Sequence, residues 1–120
     1  MAERKIGSEP LSPGIPIVSS EILVGYRIKE VKGLVWASTV RAKSIFDDVK
    51  AMLKLIVGGE IKEFWQLINE ARQDIMVRLN QNAMDMGANA VVSVRIESAE
   101  VIGGAIEIYA YGTAVVVEKE

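Results

Sequence analysis

The sequence predicts an α+β fold, an antiparallel sheet with two helices packed on one face, from three observations. Residues 22–41 are mostly β-branched or aliphatic. Residues 44–86 carry apolar side chains at three- and four-residue steps, and residues 90–117 return to strand-like patterns. Strands before and after a helical stretch describe segregated layers rather than a parallel α/β alternation. With 120 residues, 50% apolar and 25% charged, and a formal charge of -2, the composition is that of one globular domain. A chain of this length buries roughly two thirds of the surface its unfolded form exposes, so it needs neither disulfide nor metal to fold.

Residues 1–16 hold Pro10, Pro13 and Pro16 among Gly, Ser and charge, show no hydrophobic period, and are read as a flexible N-terminal tail. Residues 17–120 form the single domain. The prolines also break any apolar signal-peptide core. The densest apolar run, residues 51–57, contains Lys54 and falls far short of the about 20 residues a membrane helix needs. The expected location is the cytoplasm, with no membrane partner.

Strands are placed at residues 22–31 and 34–40, divided by a turn or bulge at Lys32-Gly33. Ser44 with Asp47 three residues later makes a capping-box-like start for a first helix. Its apolar face is Ile45, Val49, Met52, Leu53 and Ile56, and Gly58-Gly59 ends it. A second helix carries Ile61, Phe64, Trp65, Ile68, Ile75, Met76, Leu79, Ala83 and Met86 on one face and polar residues, Asn80 among them, on the other. Gly87 stops it. Ala90, Val92, Val94 and Ile96 then alternate with Val91, Ser93, Arg95 and Glu97, as in a strand with one buried face. After a turn at residues 102–104, the last strand points Ile106, Ile108, Ala110, Ala114 and Val116 one way and Tyr109, Tyr111, Val115 and Val117 the other.

Both faces of that strand are apolar, and two helices cover one face only. Residues 34–40, with Leu34, Trp36 and Val40 opposed to Val35 and Ala37, pose the same problem. Monomers seldom leave large apolar patches in water. The expected cover is a second copy of the chain in a closed homo-oligomer. Tyr109, Tyr111, Val115, Val117 and Leu55, which lies off its helix's main stripe, are the candidate interface. The alternative is that the N-terminal segment or a curl of the sheet does the covering.

The chain has no Cys and no His, which excludes thiol nucleophiles, imidazole bases and zinc sites within one chain. A pI near 5.3 with interleaved charges gives no electrostatic reason to expect nucleic acid. Asp47 and Asp48 offer oxygen ligands to a hard cation such as Mg²⁺ or Ca²⁺, but adjacent helical side chains diverge by about 100° and helix capping already accounts for them. They are the only metal candidates, and weak ones. Gly58-Gly59 lacks a following Lys-Ser or Lys-Thr, and Glu60 would repel a phosphate. Met52, Met76 and Met86 fall on apolar stripes and read as core, with Met84 off them. The stripe of Arg41, Lys43, Lys50 and Lys54 is broken by Asp47 and reads as a solvated face. No catalytic residue and no cofactor is assigned.

The run Gly87-Ala88-Asn89-Ala90-Val91-Val92 after Ala83, with Gly58-Gly59, Glu70-Ala71-Arg72 and Tyr111-Gly112-Thr113-Ala114-Val115, resembles the YbjQ-like family over residues 17–117. Members are often labelled heavy-metal-binding. The resemblance implies a small α+β subunit assembling into a ring, typically a pentamer, with no established activity. Where the family continues after its paired glycines with Arg-Ser and then Tyr, this chain has Glu60, Ile61 and Phe64, so a polar site built there would be lost. Soft cations select thiolate and imidazole, which this chain lacks. The expected function is a ring-forming scaffold or small-ligand binding module, with any ligand at subunit junctions. The alternative is a metal-binding protein or metal-dependent enzyme using carboxylate oxygens.

Overall fold

The β-branched run at residues 22–41 becomes one long strand, β1 (Tyr26–Arg41), followed by a helix, α1 (Lys62–Asp85), and two further strands, β2 (Ala90–Val101) and β3 (Ala105–Lys119). The computed structural model describes residues 14–41, 62–101 and 105–120. All strand pairs are antiparallel, in the order β1-β3-β2. The central place of β3 explains why its side chains are apolar on both faces. Lys32-Gly33 does not separate two strands. It lies within β1 at a bulge between Val31 and Gly33, after another between Ile28 and Glu30, and Gly33 takes a φ of 125°, open to glycine. The strand starts at Tyr26 rather than Ile22, because a turn closed by Tyr26 N–H donating to Leu23 O (3.0 Å) precedes it.

The expectation of two helices is not borne out. Among the described residues α1 alone closes the inner face of the sheet, and the helix expected from Ser44 to Val57 lies outside them. Ala71, Ile75, Leu79 and Ala83, one turn apart, are buried against Val35, Ala37, Val91, Val94, Ile108, Ala110 and Ala114. Gly87 ends α1 as expected, in a Schellman motif. Its φ is 84°, its N–H donates to Met84 O (2.9 Å), and Ala88 N–H donates to Ala83 O (3.1 Å). No helix among the described residues is long and apolar enough to cross a membrane.

The single buried face expected of β2 is a second correction. Ser93 takes a φ of 56° and the register with β3 shifts between Val92 and Arg95. This bulge adds a residue to the alternation, so Val91 and Val94 both face the helix while Ala90 and Val92 face the other side. Gly112 on β3 makes room for it. A Cβ there would lie 3.0 Å from Val92 O and 2.9 Å from Val94 Cγ2.

The outer face of the sheet is partly covered by the chain itself. Residues 15–25 form a strap that begins at the edge of β2, where Val18 N–H donates to Val91 O and Val91 N–H to Pro16 O, both at 2.9 Å. Ile15 packs against the core, and its N–H donates to Asn80 Oδ1 at 3.0 Å. Ile15 and Pro16, at the end of the segment read above as a tail, thus lie against the helix and the sheet edge. Asn80, expected on the solvent face of its helix, is buried because it anchors the strap. The strap then crosses the outer face, laying Val18 and Leu23 over Ala90, Val92, Val115 and Val117, before entering β1 at the opposite edge.

Candidate functional site

Cross-strand register decides which β1 side chains share the outer face, since directly opposed residues point the same way. Tyr26, Ile28, Val31, Leu34, Trp36 and Val40 lie opposite Lys119, Val117, Val115, Thr113, Tyr111 and Glu107 of β3. All six are exposed, with Trp36 at 63% and Val31 at 62%. An apolar stripe thus runs the length of an edge strand on the side that α1 does not reach.

Tyr109 and Tyr111 continue this surface onto β3. They are half-buried, with ring centroids 6.3 Å apart and planes at 22°, a stacked arrangement that favours a fixed aromatic platform. Tyr109 O–H donates to Glu97 Oε2 at 3.2 Å. The negative charge of Glu97, followed by that hydrogen bond, raises the Tyr109 pKa above the ordinary 10.0, keeping the hydroxyl a donor. Arg95, opposite Tyr111, marks the boundary with the covered region. Its Nη1 donates to Ser19 O (3.0 Å) and Val94 O (2.9 Å), fastening the strap.

Of the residues chosen from sequence for the interface, Tyr109 and Tyr111 lie on this surface. Val115 and Val117 do not. They share the parity of the tyrosines but are 0% and 8% exposed under Val18 and Leu23, so the surface left open is a stripe on β1 more than one on β3. Leu55, Asp47 and Asp48 lie outside the described residues. Ile28 and Val31 were missed, because the bulge between Ile28 and Glu30, which no residue type announces, breaks the simple alternation between them. Also missed were Arg78 and Asn82, polar residues on the exposed side of α1. Asn82 Nδ2 donates to Trp36 O (2.9 Å) and Arg78 Nη1 to Ser38 O (3.1 Å). No sequence signal distinguishes them from other solvated helix residues.

An open groove of about 550 Å³ lies between the strap and β2, lined by Ile17, Val18, Met76 and Ile96 with Arg95. Its one ionisable side chain already serves the strap, so no set of polar groups converges there as a ligand pocket requires. Among the described residues, no three Asp, Glu, His or Cys side chains are grouped to hold a metal ion. Met76 and Met86 pack against the core, and Met84 Sδ accepts from Asn80 Nδ2 at 3.5 Å. The donor set described does not fit a soft heavy metal.

A family model described as "Putative heavy-metal-binding" (YbjQ_1) matches residues 15–118. The UPF0145 protein TK1926 of Thermococcus kodakarensis is 48% identical over 107 residues, covering 89% of this chain and 95% of that one. The UPF0145 protein BH0643 of Halalkalibacterium halodurans is 48% identical over 104 residues, covering 87% and 98%. A crystal structure of a protein of unknown function from Pediococcus pentosaceus, described as belonging to the DUF74 family, shares 22% identity with a TM-score of 0.47, covering 87% of this chain and 98% of that one. That likeness is too distant to carry an argument.

Proposed function

This chain belongs to the YbjQ-like family, and from that premise we propose that it works as a ring-forming homo-oligomer, a scaffold or small-ligand binding module built by association through the outer face of β1. The observation that carries the proposal is the six-residue apolar stripe of Tyr26, Ile28, Val31, Leu34, Trp36 and Val40. Their exposed side chains offer on the order of 500 Å², about half of the roughly 1,000 Å² that a specific interface requires, the rest coming from a different surface of the neighbouring copy, as the head-to-tail contacts of a ring demand. The pentameric size is what the family resemblance implies. A small ligand would be held where Tyr109 and Tyr111 meet a neighbouring subunit.

Light scattering coupled to gel filtration tests this. The wild type is expected as one multimeric species, and Trp36→Glu as a monomer with an unchanged circular dichroism spectrum. A wild type that stays monomeric over a wide concentration range would count against the proposal. The hard-cation reading has no three-carboxylate group behind it among the described residues. Elemental analysis of the same samples, with Mg²⁺ and Ca²⁺ thermal-shift titrations, tests it in parallel.

A further inference from the structure

A sheet edge presents free N–H and C=O groups to any extended chain that meets it. The strap occupies part of one edge here, since the Pro16, Val18 and Ser20 carbonyls accept from Val91, Val94 and Ser93. The other edge is β1, the strand that also carries the exposed apolar stripe. A copy arriving on that face brings its own β1 within reach, and two routes compete: packing on the face or adding a strand to the edge.

The first half of the β1 edge is poorly suited to strand addition. Bulges at Ile28/Glu30 and Val31/Gly33 break its regular spacing, and Arg27, Lys29 and Lys32 place charge along it. The second half is regular, pairing with β3 without a break from Gly33 to Arg41. There α1 intervenes, with Asn82 on Trp36 O and Arg78 on Ser38 O. Carbonyls two residues apart along a strand point to the same edge, so these are successive acceptors. Asp74 steadies the arrangement, at 3.2 Å from Arg78 and 3.6 Å from Arg41, whose Nη1 in turn donates to the buried Thr39 Oγ1 at 2.8 Å.

We infer that Arg78 and Asn82 are edge guards: by occupying the Trp36 and Ser38 carbonyls they bar strand addition to β1 and direct a second copy to the outer face. For the wild type this rests on the self-association proposed above. The consequence is closure. Head-to-tail packing on the face can end in a ring, whereas pairing of one β1 edge with another is self-complementary and stops at two copies.

The test compares the full-length wild type with a variant combining Arg78→Ala and Asn82→Ala, using light scattering, electron microscopy and hydrogen exchange. The wild type is expected to stop at one size. The double variant is expected to form edge-paired dimers in which the Trp36 and Ser38 amides exchange at least tenfold more slowly than in dilute samples. Each single variant keeps one guard and pairs more weakly. A folded double variant with wild-type size and unprotected amides overturns the inference. Should the double variant not fold, Asn82→Ala alone decides the matter at the Trp36 amide. A monomeric wild type removes the self-association proposal without removing this one, because dimerisation of the double variant with protected Trp36 and Ser38 amides would still report an opened edge.

Discussion

Two halves of one sheet face met different fates. At one end Ala90, Val92, Val115 and Val117 lie under the strap residues Val18 and Leu23, with Val115 fully buried. At the other, Leu34, Trp36 and Val40 stand in solvent beside half-buried Tyr109 and Tyr111. Val115 and Tyr111 sit on the same strand with the same parity, so alternation does not separate them. The strap does. Each valine it buries gains about 1.5 kcal/mol from the area removed from water, a gain that no described residue of the chain supplies to the uncovered half.

The contrast is broken most severely by charge. Val115→Asp places a carboxylate where no partner or water reaches, and is expected to cost about 4 kcal/mol or more, enough to unfold many domains of this size. Trp36→Asp at the open end is expected to change monomer stability by less than about 0.5 kcal/mol. Urea denaturation of the two variants reads the difference. Equal losses would mean that the two halves are not distinct.

Gly112 lies where the halves meet. The bulge at Ser93 pushes Val92 O to within 3.0 Å of a Cβ at position 112, so Gly112→Ala is expected to cost about 2 kcal/mol through overpacking. Thermal unfolding checks this, and a neutral result would show that the bulge relaxes freely. A smaller effect is expected from Arg95→Ala, which removes the hydrogen bond from its guanidinium to Ser19 O. A loss of about 1 kcal/mol, with faster exchange of the Ser93 and Val94 amides, would show the strap loosening first.

The least effect concerns Tyr109. Its pKa is raised when folded, so the stabilisation is complete below the ordinary tyrosine value and is lost as pH rises through the folded one. A phenol absorbance titration is expected to show one tyrosine ionising late, returning toward 10.0 in Glu97→Gln. An unchanged titration in that variant would remove Glu97 as the cause.

Much of this architecture is legible in the residues. The apolar faces of β3 follow from its alternation, and the end of α1 follows from Gly87. The surplus of apolar surface around Leu34, Trp36 and Val40 is equally plain. The strap is not, because Pro16, Val18 and Ser20 are fastened by backbone hydrogen bonds to β2 and Ile15 by the Asn80 side chain, contacts that leave no period in the sequence. The bulge at Ser93 and the one between Ile28 and Glu30 are hidden for a related reason, since one inserted residue reverses every later side chain and neither Ser93 nor Lys29 announces it, whereas Lys32-Gly33 does mark the bulge between Val31 and Gly33. Arg78 and Asn82 find their carbonyl partners only through the packing angle of α1 on the sheet.

The central claim is that the outer face of β1 is covered by a second copy, and radical footprinting of side chains across a dilution series tests it most directly. Where the protein is multimeric, Val31, Leu34 and Trp36 are expected to be protected while Val115 stays unreactive at every concentration. Equal reactivity of Trp36 in multimer and monomer would contradict the account.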